Sequence, residues 1–402
     1  MNTNNTALRQ ITLPTRLPKV GTTIFTVMSA LANEHQAINL GQGFPDFGCD
    51  PALPEAVHQA MLAGHNQYPP MAGVGVLREG ISKKISSLYG KTYHADSEIT
   101  ITAGGTQGIF TVIASAIGPG DEVIVIEPVY DSYVPAIDTV GGKSVPVQLI
   151  VKRDAGGKIT GYEIPWDAIS QAITPRTKMI MINSPHNPTG MVWESEDLNK
   201  LADIVRNTNI LICSDEVYEH MVYDGKDHQS VARHPELADR SFVISSFGKT
   251  YHVTGWKVGY VAAPAQLTHE FRKVHQFNVF TVNTPMQYGL AKYLETAGHY
   301  LNLPKFYERK RDYLRAGLAK TKFHLLPTPG TYFQCVDYTQ LGIPESQLNS
   351  ADFCQWLTKE IGVAAIPVSA FYGDPVESGV IRFCFAKKEE TLAKALERLT
   401  VL

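Results

Sequence analysis

Three things are scarce in this 402-residue chain: cysteine, unbroken apolar stretches and charge of one sign. The five cysteines, Cys49, Cys213, Cys335, Cys354 and Cys384, are odd in number and form no CxxC pair or cluster with histidine. That excludes a disulfide framework and argues against a metal site; the thiols read as small buried residues of a cytoplasmic protein. No apolar run reaches the roughly 18 residues that span a bilayer. The N-terminal Met1-Asn2-Thr3-Asn4-Asn5 lacks the apolar segment of a secretion signal. Lys and Arg number 36 against 39 Asp and Glu, a net charge of −3. Nucleic acid and membrane surfaces call for a clear basic excess, so neither partner is expected. Short basic runs such as Arg309-Lys310-Arg311 read as a solvated helix face.

What is present is a long alternation of strand and helix. The length calls for two closely joined domains. Residues 22–34 and 77–88 have helical spacing of apolar side chains. Strand-like segments follow at 99–102, 123–126, 144–149, 179–182, 210–213, 242–245 and 258–262, some separated by helical stretches such as 166–173 and 196–206. This predicts an α/β domain on a mostly parallel sheet. After about residue 285 a helical region runs through Tyr313, with strand-like pieces at 331–336 and 380–385. The expected division is an N-terminal arm joining the small domain (1–45), a large domain (46–285) and a smaller α+β domain (286–402).

Three polar residues stand just beyond strand segments: Asn187 in Asn183-Ser184-Pro185-His186-Asn187-Pro188-Thr189-Gly190, Asp215 in Ser214-Asp215-Glu216-Val217-Tyr218, and Lys249 in Ser246-Phe247-Gly248-Lys249-Thr250. In parallel sheets ligands bind outside the carboxyl ends of the strands, so the three can converge. A lysine amine, a carboxylate and an amide are what pyridoxal phosphate requires. The amine bonds the cofactor aldehyde, the carboxylate keeps the pyridine nitrogen protonated, and the amide serves the ring oxygen. Each residue alone has a plainer reading, as a solvated lysine, a helix cap or a turn. The ordered set is harder to explain that way.

The phosphate needs its own cradle. Ala103-Gly104-Gly105-Thr106-Gln107 follows a strand and opens a helix, where backbone N–H groups and the helix dipole hold anions. Ser246 and Lys257 could add a hydroxyl and a positive charge, and Tyr130 is placed to stack on a pyridine ring. Arg382, in Val380-Ile381-Arg382-Phe383-Cys384-Phe385, is either the fork for a substrate carboxylate or an edge-strand arginine facing water. Gly73-Val74-Gly75 imitates the start of a dinucleotide fingerprint, but lacks the last glycine and follows no strand, which disfavours a Rossmann oxidoreductase.

These motifs resemble the class I/II aminotransferases, pyridoxal-phosphate enzymes of fold type I, from about Gly21 onward. The lysine signature is Ser246-Phe247-Gly248-Lys249 with Lys257 eight residues on. Asn39-Leu40-Gly41-Gln42-Gly43-Phe44-Pro45-Asp46-Phe47, Asn66-Gln67-Tyr68 and Tyr130-Asp131-Ser132-Tyr133 resemble its kynurenine/glutamine transaminase branch. Residues 245–258, Phe353-Cys354-Gln355-Trp356 and residues 362–367 are similar to the bacterial methionine aminotransferases. The resemblance implies Lys249 as the Schiff-base lysine and proton shuttle, Asp215 at the pyridine nitrogen, and Asn187 and Tyr218 at the ring oxygen. It implies Gly105, Thr106, Ser246 and Lys257 at the phosphate, with the Gln107 side-chain role open. Arg382, Asn187 and the Gly43 backbone would hold the substrate carboxylate. Tyr68 would reach the phosphate of a neighbouring subunit, giving a homodimer with shared sites. Phe25, the partner's Tyr68 and Tyr133 would wall a pocket for methionine or other large neutral or aromatic amino acids. The competing reading is a kynurenine–oxoglutarate or glutamine transaminase with cysteine-conjugate β-lyase activity. A regulatory protein of the same fold would carry a DNA-binding domain, for which the enzyme-like pattern leaves no room.

Overall fold

The computed structural model describes residues 14–374 and 376–402, so residues 1–13 of the expected N-terminal arm lie outside the described residues. All seven strand segments expected between residues 98 and 262 enter one seven-stranded sheet. Its order is Ile99–Thr102, Gly259–Ala262, Ser241–Ser246, Leu211–Asp215, Thr177–Asn183, Glu122–Glu127 and Lys143–Gln148. Gly259–Ala262 runs antiparallel to both neighbours and the other pairings are parallel.

Except along the edge strand Lys143–Gln148 the sheet is buried on both faces, which is why its inner strands read as apolar runs. Alternate residues feed two cores. Ile124, Ile126, Ile180, Ile182 and Ile212 point into one, and Val123, Val125, Met179, Met181 and Cys213 into the other. A third core lies under a four-stranded sheet in the order His324–Leu325, Phe333–Asp337, Val380–Cys384 and Ile366–Pro367. Met28 and Leu40 join this third core, and Ile38–Asn39 pairs with Val363–Ala364.

Two features depart from the sequence reading. The helix Thr284–Leu294 packs on Ala52–Leu62, and its Leu290, Tyr293 and Leu294 enter the large-sheet core. The change of core therefore falls near Leu303, not at 286. In the basic run 309–311 only Arg309 is solvated. Lys310 donates to the Lys387 carbonyl at 2.7 Å, and Arg311 grips Asp224 through two bonds of 2.7 Å. Both side chains are buried, because long basic stems pack readily once their heads find acceptors. Gly73, the first glycine of the false fingerprint, serves packing: at φ 98°, an added Cβ would lie 2.2 Å from Ile101 Cγ1.

Behind the strand ends lies a closed polar cluster. Glu219 accepts from Lys84 Nζ at 2.6 Å, from the Ser245 and Tyr89 hydroxyls at 2.5 Å, and from the Tyr260 hydroxyl at 3.2 Å. Removing one member of a buried ion pair strands the other charge. Lys84→Met should therefore lower the unfolding free energy by about 3–5 kcal/mol, measured by urea denaturation. A loss typical of an exposed pair, below about 1 kcal/mol, would mean that the cluster rearranges freely.

Candidate active site

The carboxyl ends of the large-sheet strands open onto a cavity of about 310 Å³. The in-register pairs Asn183–Asp215 and Ser246–Gly259–Thr102 bring these strand ends to one rim. Twelve of the expected residues line the cavity: Phe25, Gly43, Gly105, Thr106, Tyr130, Asn187, Asp215, Tyr218, Ser246, Lys249, Lys257 and Arg382.

Lys249 stands in the short helix Phe247–Thr250, directly after the strand Ser241–Ser246. Its Nζ donates to the Gly43 carbonyl at 3.1 Å and to the Tyr332 hydroxyl at 2.7 Å. Burial pulls its pKa down to about 8, because the charged form loses solvation. Neutral amine is thus available at a pH where an ordinary lysine is nearly all ammonium.

Asp215 ends the strand Leu211–Asp215. Its Oδ2 accepts the Tyr133 hydroxyl at 2.5 Å and its Oδ1 the Val217 N–H at 3.2 Å. Burial raises its pKa to about 6, and these donors and the Lys249 charge only partly offset that. A cation placed opposite would favour the carboxylate. Tyr218, buried nearby, stands edge-on to Tyr332 with ring centroids 5.3 Å apart.

Arg382 leaves 1% of its surface exposed, so it is not an edge-strand arginine facing water. Its guanidinium carbon lies 3.7 Å from the ring centroid of Phe333, 4.9 Å from Phe371 and 5.6 Å from Phe25. One terminal nitrogen donates to Asn187 Oδ1, while Nε has no partner. No ion pair holds it among the described residues, so a buried fork is left with a free donor beside the cavity. At the opposite end the helix Gly104–Ala116 begins. A Cβ on Gly104 would lie 3.3 Å from Lys257 Nζ, and Lys257 adopts φ 53°. The lysine head and the first helical N–H groups share this corner, which is anion-binding geometry.

Three expected residues are elsewhere. Gln107 turns its amide back along its own helix, accepting from the Ala103 N–H at 2.9 Å and donating to Thr111 Oγ1 at 2.6 Å. Tyr68 is 81% exposed and lines a separate surface cleft with Thr281 and Pro285. Tyr133, expected in the pocket wall, lies behind Asp215 as its hydrogen-bond donor. The sequence reading missed Asn183, Phe333, Phe371 and Tyr332. Asn183 opens the same motif as Asn187 and carried that much signal; the aromatics sit in apolar segments where nothing marks them.

Comparison with known proteins decides the family. Residues 35–399 match the model of the aminotransferase class I and II family. The chain belongs to that family. Methionine aminotransferase of Escherichia coli (strain K12) is 48% identical to this aminotransferase over 401 residues, covering 100% of both chains. Kynurenine–oxoglutarate transaminase 3 of Rattus norvegicus is 36% identical, covering 95% of this chain and 88% of that one. A solved Escherichia coli structure with an identified methionine aminotransferase function superposes with a TM-score of 0.93 at 46% identity, over 98% of this chain and 100% of that one. The fold is thus fold type I, and the enzyme uses pyridoxal phosphate. The residues fit that cofactor. Gly105 keeps its cradle open, since a Cβ there would lie 3.0 Å from Val217 Cγ1, and Asp215 is a buried carboxylate without a cation of its own.

The raised pKa of Asp215 has a sign. In the apoprotein the folded state holds the proton to about pH 6, and the unfolded chain releases it near 3.8. The stability this proton lends is present below the unfolded value and is lost as pH rises through about 6. Asp215→Asn removes that penalty, on the order of 2–3 kcal/mol. Apo Asp215→Asn should therefore melt at or above apo wild type at pH 7.5, with the difference shrinking towards pH 4. Its transamination rate should still fall about 10²–10³-fold, the scale of losing one electrostatic stabiliser. A variant that melts lower at pH 7.5 than at pH 4, relative to wild type, would contradict the assignment.

Proposed function

We propose that this aminotransferase takes nitrogen from methionine and other large neutral or aromatic amino acids and passes it to a 2-oxo acid. The observation that carries this is the cavity's charge count. Its cationic lining residues are Lys249, Lys257 and Arg382. Lys249 serves the reacting centre and Lys257 the phosphate corner, so Arg382 is left for the α-carboxylate. No further cation among the described lining residues remains for a side-chain carboxylate, whose burial unpaired is costly. Phe25, Phe44 and Phe333 supply apolar wall instead, and a polarizable thioether packs well on aromatic rings.

When bound, pyridoxal phosphate supplies an aldehyde for the amino nitrogen and a protonated ring that draws electrons from the α-carbon. Asp215 holds that ring nitrogen protonated. Asn187 and Tyr218 hold its ring oxygen. Lys249 Nζ takes the proton from the α-carbon and returns it. Gly105, Thr106, Ser246 and Lys257 hold the phosphate, and Tyr130 covers the ring. Arg382 orients the donor carboxylate with Asn187 and the Gly43 backbone, and Phe25 screens it from water.

The site is read as completed by a second copy, with Tyr68 reaching the partner's phosphate. Support comes from exposed aromatics on that side: Phe277 is 90% exposed, and Tyr68 stands 5.3 Å from the exposed Phe280. The thiols of Cys213, Cys335, Cys354 and Cys384 are free and buried, which suits the cytoplasm. No helix of the described residues is long and apolar enough to cross a membrane. The same aromatic wall would admit kynurenine, and the likeness to a kynurenine–oxoglutarate transaminase keeps that donor, with β-lyase chemistry, as the second reading.

With one fixed 2-oxo acid acceptor, kcat/KM for methionine and phenylalanine should exceed that for aspartate by about 10²-fold or more, the cost of an unpaired carboxylate. Aspartate equal to methionine would refute the pocket. Pyruvate and ammonia released from cysteine conjugates without acceptor would favour the second reading. Arg382→Lys should raise KM for every donor alike, because lysine cannot form two parallel bonds to a carboxylate. Loss confined to one donor would place Arg382 at the side chain.

A further inference from the structure

Tyr332 belongs to no motif, yet its hydroxyl touches the nitrogen on which the site turns. Lys249 Nζ donates to that hydroxyl at 2.7 Å and to the Gly43 carbonyl at 3.1 Å. The Tyr332 hydroxyl itself donates to the Gly43 carbonyl. A carbonyl oxygen only accepts, so with the phenol hydrogen directed at Gly43 a phenol lone pair is what faces the amine. A neutral amine has two N–H bonds and one lone pair. With the two hydrogens claimed by Tyr332 and Gly43, the lone pair is the one position left free, on the cavity that Lys249 lines. Tyr332 is held rigidly for this. It is fully buried, with ring centroids 4.8 Å from Phe333, 5.3 Å from Tyr218 and 5.7 Å from Tyr307.

We propose that Tyr332 is a positioning residue, which with the Gly43 carbonyl orients the free Lys249 amine so that its lone pair faces the reacting carbon. This rests on the reading of Lys249 as the lysine that takes and returns the proton. The arrangement matters whenever that amine is free, because a misdirected nitrogen must reorient before each proton transfer. Tyr332 takes no proton itself: its hydrogen stays on Gly43, and the proton moves between the α-carbon and Nζ. A rival role is a strut that fixes the Gly43 loop, and the two differ in what they would disturb.

The test uses Tyr332→Phe in the full chain, beside wild type. Borohydride reduction of the loaded proteins and peptide mapping come first. Label on a lysine other than Lys249 would overturn the Lys249 reading and this proposal with it. With label on Lys249, the expected results are uptake of pyridoxal phosphate by the apoprotein slowed about 10-fold, and kcat lowered about 10²-fold with KM within a few-fold, the scale of a misplaced reacting group. The kinetic isotope effect with α-deuterated methionine should rise, since proton transfer then limits the rate more strongly. Unchanged uptake and isotope effect, with a lowered melting temperature or raised KM only, would show a strut and overturn the proposal alone. If Tyr332→Phe does not fold, 3-fluorotyrosine at position 332 keeps the shape while weakening the accepting oxygen. Slower uptake in that protein supports the proposal, and wild-type uptake overturns it.

Discussion

One carboxamide governs the geometry of the site. Asn183 ends its strand opposite Asp215, donates from Nδ2 to the Asp215 carbonyl at 2.8 Å, and accepts the Asn187 N–H on Oδ1 at 2.8 Å. The Ser184 N–H adds a second bond to the same Asp215 carbonyl at 3.2 Å. Neighbouring parallel strands normally part company at their ends, each following its own loop. Here the loop bearing Asn187 is tied back to the strand bearing Asp215. Asn187 in turn receives Arg382 from the smaller sheet. Hydrogen bonds therefore run from the backbone carbonyl of Asp215, through the side chain of Asn183 and through Asn187, to the Arg382 guanidinium. Distances across the site are set by the sheet rather than by flexible side chains.

This explains what could be read from sequence. The strands were legible because burial on both faces makes each a short apolar run, and Asn187, Asp215 and Lys249 because each polar group follows such a run directly. Arg382 could be seen but not placed: one basic residue among apolar ones fits a buried fork and a wet edge equally. Residues acting from behind were hidden for a physical reason. Tyr332 and Phe371 are large and apolar in body, so core packing accounts for them fully until coordinates show where a polar tip or ring face points, while Tyr133 was seen but placed in the pocket wall rather than behind Asp215. The 309–311 run failed in the opposite sense. Three adjacent basic residues suggest solvent, which holds for Arg309, but Arg311 and Lys310 reach Asp224 and the Lys387 carbonyl, 87 and 77 residues away along the chain. The change of core near Leu303 was hidden likewise, because helices on either side of it share the same amphipathic spacing.

The segment from Asp215 to His220 places three carboxylates within five residues, and the fold sends each to a different environment. Glu216 meets His228 at 2.8 Å and the Ser214 hydroxyl at 2.8 Å. Glu219 meets Lys84 and three hydroxyls. Burial alone would raise the Glu219 pKa, but Lys84 and its other partners reverse the shift and hold it well below the ordinary carboxylate range. Asp215 receives a phenol and a backbone N–H but makes no ion pair among the described residues. Glu219 is thus paired with a cation within the chain and Glu216 is held by hydrogen-bond donors, and both brace the strand ends from behind. The third faces the cavity with its proton affinity raised and without an ion pair among the described residues, which suits its proposed role opposite a cation of the cofactor. Its environment sets it apart from two carboxylates that local sequence alone does not distinguish from it.

The same logic, with the sign reversed, governs Arg382. A guanidinium buried without a carboxylate is costly, and its pKa is pulled down by that burial. Three aromatic faces and one amide oxygen offset part of the cost, since ring faces attract cations and satisfy them without neutralising them. A buried carboxylate in place of the amide would stabilise the empty site more, but it would also have to be displaced by every substrate. Asn187 avoids that conflict, because an amide oxygen orients the fork yet leaves its charge uncompensated. The desolvation of Arg382 is then met by folding, before any ligand arrives, and under the proposed function an incoming α-carboxylate would gain a fork already stripped of water. Because that gain would be common to all amino acids, it could not choose among them. On this reading, selection falls to the aromatic wall, where Phe25 and Phe333 touch both the fork and the cavity.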